Sequence, residues 1–172
     1  MHIFASTHLA LLAASYILFA TTAQADMRVT FDEGAPKDRF TIENTGVCAI
    51  EAAEILLDLS PSRGKLIFDV TGAGAGVEMF QPFDIVTGAG ALTEMPLVLD
   101  GQSKIQFNIS SLRPGDTISF TIDVDDTLGA REITVSGAEI AGAMAIYTKG
   151  ADIQSATFSE QAVAEVAFSA CN

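Results

Sequence analysis

The sequence predicts an all-β fold, a single Ig-like or jelly-roll β-sandwich of about ten strands. Apolar and polar residues alternate over several short stretches, most clearly at residues 117–124, as expected for strands with one buried face. Glycine, proline and other turn-forming residues separate these stretches at short intervals. Only residues 49–57 are rich enough in helix-forming residues to compete as a helix, and that stretch is short and is followed by Pro61. Together these observations favour a sandwich of short strands.

The candidate strands follow one another along the whole chain after residue 25. The first contains Phe40 and Ile42, which alternate with threonine and glutamate. The later candidates are Ile55–Leu59, Leu66–Val70, Val77–Val86, Lys104–Ile109, Thr117–Val124, Arg131–Val135, Glu139–Tyr147, Ile153–Phe158 and Val163–Phe168.

Four groups of turn-forming residues lie between the candidate strands. They are Ser60–Gly64, Asp100-Gly101, Arg113–Asp116 and Lys149-Gly150. The sequence predicts a hairpin at Asp100-Gly101, between Pro96–Leu99 and Lys104–Ile109, because glycine tolerates the positive φ angle that tight hairpins require.

Residues 1–25 are predicted to be a cleavable signal peptide. Leu9–Ala20 is a largely apolar run, and Ala23-Gln24-Ala25 has the small-x-small pattern that a signal peptidase accepts. A short membrane anchor is the alternative, but the run is shorter than the ~20 residues that span a bilayer. We therefore expect residues 26–172 to form one exported domain, periplasmic or secreted, with no membrane span in the mature protein.

The charge of the chain limits its partners. Its 22 acidic and 9 basic residues give a formal net charge of −13, and all of them follow Ala25. Such a charge repels nucleic acids and anionic membrane surfaces and attracts cations. The sequence therefore predicts no nucleic-acid partner.

The two cysteines, Cys48 and Cys171, both belong to the predicted mature protein. An even number of cysteines in an exported chain usually indicates a disulfide bond. A bond between them would close a loop of about 120 residues, which stabilises a fold by roughly 4 to 5 kcal/mol. Two separate buried thiols remain the alternative if the chain is not exported.

Histidine chemistry is not expected in the mature protein, because both histidines, His2 and His8, lie in the predicted signal peptide. Their removal excludes the Ser-His and Cys-His pairs of nucleophilic catalysis and the usual zinc sites. Carboxylates are numerous, but the chain has no tryptophan and only two tyrosines to form a sugar-binding platform. The sequence predicts that the protein is not an enzyme and has no catalytic residues. A secreted or periplasmic enzyme that uses carboxylates, or a subunit of one, is the alternative.

The most informative acidic stretch is Asp123-Val124-Asp125-Asp126. Strand alternation predicts that Asp123 and Asp125 lie on the same outward face, about 7 Å apart, and that Asp126 turns into the following loop. Ca²⁺ binds roughly 6 to 8 oxygen ligands, which Asp-rich strand ends can supply. These three aspartates are therefore the predicted Ca²⁺ ligands, and a solvated acidic edge is the alternative. The candidates for further ligands are Glu51, Glu54 and Asp58.

Three stretches resemble modules of bacterial secreted proteins that are similar to the sponge aggregation factor core protein. They are GAGVEMFQPF at residues 74–83, FTIDVDDTLG at residues 120–129 and EITVSGAEIAGA at residues 132–143. The resemblance covers roughly residues 40–147. It implies an extracellular β-sandwich module of the kind found in adhesin-like chains beside calcium-binding repeats. This chain departs from that setting, since it carries neither tandem modules nor nonapeptide calcium repeats.

The sequence and the resemblance together predict a secreted, non-catalytic module for calcium-assisted cell-surface or extracellular adhesion or aggregation. Its expected partner is an extracellular or cell-surface macromolecule. The expected cofactor is Ca²⁺.

Overall fold

A computed structural model describes residues 26–72, 80–128 and 135–168 of the chain. The predicted signal peptide and Cys171 lie outside these residues. The described part contains eleven strands in three antiparallel sheets, together with one short 3-10 turn and one short α-helix.

The two large sheets form the sandwich. The five-stranded sheet has the order β11-β1-β2-β7-β5, and the four-stranded sheet has the order β10-β9-β3-β6. The strands of the first are β1 (Met27–Asp32), β2 (Asp38–Asn44), β5 (Asp84–Thr87), β7 (Thr117–Ile122) and β11 (Val163–Val166). The strands of the second are β3 (Ile50–Asp58), β6 (Lys104–Leu112), β9 (Met144–Lys149) and β10 (Asp152–Thr157).

A third, small sheet pairs β4 (Ile67–Phe68) with β8 (Val124–Asp125). The remaining elements are the 3-10 turn Ala89–Ala91 and the helix α1 (Gly137–Ile140). The chain passes directly between the two large sheets where β2 leads to β3, where β6 leads to β7 and where β10 leads to β11.

Alternating apolar residues of both large sheets meet in one core. In the five-stranded sheet, the rings of Phe40 and Phe120 stack with centroids 5.1 Å apart. Phe107 of the four-stranded sheet lies 5.1 Å from Phe120 across the sandwich. All three rings are fully buried, and each contributes about 2 to 3 kcal/mol of burial free energy. The predicted β-sandwich is thus confirmed, and the alternation in the sequence correctly indicates its core.

The stretch with competing helix-forming residues is a strand. β3 spans Ile50–Asp58 and pairs with both β6 and β9. Ala53, Ile55 and Leu57 are buried in the core, whereas Glu54, between Ala53 and Ile55, is exposed. Burial between two neighbouring strands therefore outweighs the local helix propensity.

The prediction of a strand over the whole of Glu139–Tyr147 is wrong at its beginning. Gly137–Ile140 forms helix α1, and β9 begins only at Met144. The Glu139 carboxylate accepts hydrogen bonds from the backbone N–H and the hydroxyl of Ser136, both 2.7 Å long. This reciprocal contact belongs to the capping box, which stabilises the first turn of a helix.

Two of the predicted turns have the expected geometry. At Arg113–Asp116, Gly115 has a φ of 79° and the Asp116 N–H donates to the Arg113 carbonyl over 2.9 Å. At Lys149-Gly150, Gly150 has a φ of 59° and the turn joins β9 to β10. Glycine occupies the left-handed conformation in both turns, where other residues are strained.

The turn at Asp100-Gly101 is present, but it does not form the predicted hairpin. Gly101 has a φ of 75°, and its N–H donates to the Phe68 carbonyl over 2.8 Å. Residues 96–99 form no strand. The turn therefore attaches to the small sheet instead of joining two adjacent strands.

The chain end approaches the loop that contains Cys48. The N–H of Phe168, the last described residue, donates to the Asp26 carboxylate over 2.9 Å. The Thr45 N–H donates to the Asp26 carbonyl over 3.0 Å. None of the cysteines among the described residues is free. This proximity is consistent with the Cys48–Cys171 disulfide, which stays a prediction because Cys171 lies outside the described residues.

Candidate functional site

The three predicted calcium ligands are buried, so the expectation of an outward acidic face is wrong. Asp123, Asp125 and Asp126 are 6%, 4% and 9% exposed. The reason is that β7 ends at Ile122, and the chain then enters the small sheet with β4. Alternation along an isolated strand predicts which side chains share a face, but not that another segment covers this face.

Asp123 and Asp125 belong to a group of five aspartates, which we call the aspartate cluster. Asp123 has repulsive electrostatic interactions with Asp125, Asp38 and Asp69. Asp69 interacts in the same way with Asp100 and Asp125. The five residues come from the beginning of β2, the end of β4, the turn before β6, and the region of β8. Four segments that are far apart in the sequence thus bring their carboxyl groups together.

Asp126 contacts the loop that follows it. Its carboxylate accepts a hydrogen bond from the Leu128 N–H over 3.0 Å. The N–H of the adjacent Thr127 donates to the Gly64 carbonyl over 3.1 Å. Asp126 therefore takes part in the packing of this loop against Gly64.

The further ligands considered from the sequence are also elsewhere. Glu51 and Glu54 are exposed on β3, in the four-stranded sheet. Asp58 forms an ion pair with Lys104 over 3.0 Å. The structure instead supplies Asp38, Asp69 and Asp100, which the sequence analysis did not single out. Asp69 lies near the end of the predicted strand Leu66–Val70 and Asp100 begins a predicted turn, so acidic residues near strand ends were the signal that could have indicated them.

Asp38 and Asp100 of the aspartate cluster hold backbone N–H groups. The Asp38 carboxylate accepts hydrogen bonds from the N–H groups of Gly34 (3.0 Å) and Val124 (3.1 Å). One Asp100 oxygen accepts hydrogen bonds from the N–H groups of Val70 (2.9 Å) and Thr71 (3.0 Å). These contacts connect β2 to β8 and connect the Asp100 turn to the residues that follow Asp69.

Asp69 and Asp123 have oxygens without a hydrogen-bond donor. Asp69 is 1% exposed, and neither of its carboxylate oxygens accepts a hydrogen bond; the same holds for one oxygen of Asp123. The Asp69 carboxyl group lies against those of Asp100 and Asp125, and a proton shared with one of them would give it a hydrogen bond. A buried polar group without a partner costs about 1 to 3 kcal/mol, and more when charged. Protons or a bound cation would reduce this cost.

Burial raises the pKa values of three of these carboxyl groups, and the neighbouring carboxylates raise them further. The pKa of Asp38 rises to about 7, although its two backbone hydrogen bonds oppose the shift. The pKa of Asp69 rises to about 6 and that of Asp123 to about 7. Because burial disfavours the charged form, the metal-free cluster holds protons near neutral pH.

The chemistry available to the aspartate cluster is that of hard oxygen ligands. Carboxylates suit Ca²⁺ and Mg²⁺, and they suit softer metals less well. Over the described ranges, no three His, Cys, Asp or Glu side chains are already arranged as a metal-ligand group. A cation would therefore draw the carboxylates closer together than they lie in this structure.

Comparison with known proteins gives few matches. No family model matches the chain, and no curated protein matches it. One similar solved structure is a biomass-sensing module from an RsgI-like protein of Clostridium thermocellum, described as resembling the family 3 carbohydrate-binding module of the cellulosome. It is 10% identical, with a TM-score of 0.30 over 86% of this chain and 99% of that one. Within the described residues, no helix has the length and apolarity needed to cross a membrane.

Proposed function

We propose that this protein is an exported, non-catalytic β-sandwich module that binds Ca²⁺ at the aspartate cluster and acts in cell-surface or extracellular adhesion. One observation carries the calcium part of the proposal. Asp69 is buried against other carboxyl groups and both of its oxygens lack donors. A divalent cation would satisfy these oxygens and neutralise the repulsion within the cluster.

Ca²⁺ fits this cluster better than Mg²⁺ does. Ca²⁺ accepts 6 to 8 oxygen ligands in irregular arrangements, whereas Mg²⁺ demands a nearly ideal octahedron and keeps several waters. Carboxyl groups from four separate segments are more easily arranged around the larger, more adaptable ion. The net charge of −13 also raises the local concentration of cations around the protein.

The burial of the cluster favours a structural role for the cation over a catalytic one. Asp38, Asp69, Asp123 and Asp125 are each at most 6% exposed. An extracellular polymer therefore has no direct access to these carboxyl groups, either as a substrate or as a ligand. We propose that the cation stabilises the module, while another surface binds the extracellular or cell-surface macromolecule.

The adhesion part rests on the resemblance to secreted aggregation-factor-like modules and on the predicted export. It has its own test. Beads coated with the purified protein are expected to aggregate, or to bind cells, in millimolar Ca²⁺ and to separate on addition of chelator. Beads that stay dispersed and bind no cells in Ca²⁺ would exclude adhesion, whether or not the ion binds.

The calcium part is tested by thermal unfolding of the purified protein in Ca²⁺, in Mg²⁺ and in chelator. A ligand that binds the folded state at 100 times its Kd stabilises it by about 2.7 kcal/mol. For a domain of this size, that corresponds to a rise in melting temperature of about 5 to 10 °C. Mg²⁺ is expected to produce a smaller rise.

Two double variants give the test its specificity. Asp69→Asn with Asp123→Asn is expected to abolish the calcium-dependent rise, because it removes two of the cluster's charges. Glu51→Gln with Glu54→Gln removes the same charge from the exposed face of β3 and should leave the rise unchanged. If the wild-type melting temperature is the same in Ca²⁺ and in chelator, the calcium part is wrong.

A further inference from the structure

We infer that Ca²⁺ in the aspartate cluster acts as a latch, which holds the small sheet and the Asp100 turn against the end of the five-stranded sheet. This inference rests on the proposed function. The latch region consists of residues 67–71, 100–102 and 123–125, and Asp38 is its attachment to β2. Binding of the ion would thus order the latch region, while the core between the two large sheets remains folded without the ion.

The backbone contacts within the latch region are few. The small sheet contains only two residue pairs, Ile67 with Asp125 and Phe68 with Val124. A two-stranded sheet of this length is not stable by itself in water. The apolar side chains of Phe68 and Val124 are buried in the core. The aspartates of the small sheet are not part of this apolar packing, so contacts of another kind must hold them in place.

Those other contacts all involve the aspartate cluster or the residues beside it. The Asp69 N–H donates to the Asp123 carbonyl over 3.1 Å, and the Phe68 N–H donates to the Gln102 carbonyl over 2.8 Å. Val124 is held by the Asp38 carboxylate, and Val70 and Thr71 are held by the Asp100 carboxylate. Each segment of the latch region is thus connected to another by a hydrogen bond adjacent to a clustered carboxyl group.

Whether the carboxylates of the aspartate cluster repel one another or are joined by a cation determines whether these segments stay together. Without a cation, like-charged carboxylates repel one another, and this repulsion acts to separate the four segments that carry them. A Ca²⁺ ion among them converts this repulsion into attraction between the same segments. Local opening of such a weakly connected region does not require global unfolding. Loss of the ion is therefore expected to open the latch region first.

Hydrogen–deuterium exchange of the purified protein, at pH 8 in Ca²⁺ and in chelator, tests the latch. The amides that report on it have acceptors within the latch region or on Asp38: those of Phe68, Asp69, Val70, Thr71, Gly101 and Val124. We expect Ca²⁺ to slow their exchange at least tenfold, with little change for the amides of β3 and β6. Mg²⁺ serves as the control cation.

The outcomes separate the latch from the proposed function. If Ca²⁺ raises the melting temperature but slows exchange equally throughout the sandwich, the ion binds and the latch is wrong. If Ca²⁺ slows exchange only outside the latch region, the site itself is elsewhere. If it changes neither the melting temperature nor exchange, the proposed calcium function fails, and the latch fails with it.

A single variant tests the connection to the Asp100 turn. Asp100→Asn retains an oxygen that can accept the hydrogen bonds of Val70 and Thr71, but it lacks the negative charge. The calcium-dependent slowing at residues 70–71 and 101 should fall at least fivefold, whereas Glu54→Gln should leave it unchanged. Full retention of the slowing in Asp100→Asn would show that the charge of this turn does not hold the latch.

Discussion

At the scale of single residues, Asp69 is the side chain whose surroundings least resemble those of an ordinary aspartate. It follows a buried strand, is almost completely excluded from solvent, and faces two other carboxyl groups. Asp38 has comparable burial, but two backbone N–H groups donate to it. Asp38 and Asp69 therefore differ not in burial but in the hydrogen-bond donors that surround them, and Asp69 is the residue at which a substitution tests the proposed cation most directly.

Asp69→Asn is expected to stabilise the metal-free protein while removing its response to calcium. The asparagine amide can donate hydrogen bonds to the neighbouring carboxylates, and the substitution removes one repelling charge. We expect a gain of about 1 kcal/mol in the free energy of unfolding in chelator, measured by urea denaturation at pH 8. A loss of stability in chelator would contradict this view of the cluster.

The raised pKa values predict how the stability of the metal-free protein depends on pH. In the unfolded chain these carboxyl groups titrate near 3.8, whereas in the folded protein Asp69 titrates at about 6, and Asp38 and Asp123 at about 7. Between these values the folded state binds more protons than the unfolded state, so the free energy of unfolding decreases as the pH rises.

In chelator, the melting temperature should therefore be lower at pH 8 than at pH 5. The variant Asp69→Asn with Asp123→Asn should show a weaker decrease over the same interval, because asparagine does not titrate. Differential scanning calorimetry of both proteins gives the comparison. Equal pH dependence in the two proteins would mean that the cluster is not its source.

At the scale of elements, two glycines with positive φ angles lie beside strands. The atoms around each glycine determine how much a substitution by alanine destabilises the fold. Gly88 follows β5, and Gly115 lies in the turn between β6 and β7, both with positive φ angles of 78° and 79°. A Cβ atom added to Gly115 would meet nothing within 4 Å. One added to Gly88 would lie 2.8 Å from the Cα of Ile118 and closer still to the Thr117 carbonyl oxygen.

Gly115→Ala should therefore cost only the backbone strain of an alanine in the left-handed region, about 1 kcal/mol. Gly88→Ala should cost more than twice as much, because β7 must move to accommodate the methyl group. Urea denaturation of both variants measures the difference. Equal destabilisation would indicate that the chain at Gly88 shifts away from β7 without penalty.

At the scale of the whole molecule, the two ends of the described chain meet on one edge of the sandwich. β1 pairs with β11, and Asp26 binds both Phe168 and the loop that leads to Cys48. The rings of Tyr147 and Phe168 stack 3.9 Å apart, which attaches the chain end to the four-stranded sheet as well. The predicted disulfide would add a covalent bond to the non-covalent contacts that already hold these two ends together.

Replacing Cys48 and Cys171 together by serine should lower the free energy of unfolding by about 4 kcal/mol, because the unfolded chain regains the entropy of a long open loop. Urea denaturation of the variant and the wild-type protein measures the loss. Thiol titration of the unfolded, unreduced wild-type protein should find no free thiol. Two titratable thiols would exclude the bond.

The alternation of apolar residues was enough to predict the fold class and most strands, since burying one face of a strand requires that pattern wherever the partner strand lies. The glycine turns at Gly115 and Gly150 were likewise predictable, because the left-handed backbone conformation is a local requirement. Helix α1 escaped prediction although Ser136 and Glu139 carry its capping signal, because the helix is only one turn long.

The aspartate cluster forms only in the tertiary structure. Asp123 and Asp125 stood out because they are close together in the sequence, and Asp126 beside them accepts a hydrogen bond from Leu128 in the following loop. Asp38, Asp69 and Asp100 join them from three other segments, and no local pattern shows that these segments converge. Sequence periodicity determines which face of a strand a side chain occupies; only the packing of distant segments determines what covers that face. For this reason aspartates that were expected on an outward face are buried against other carboxyl groups.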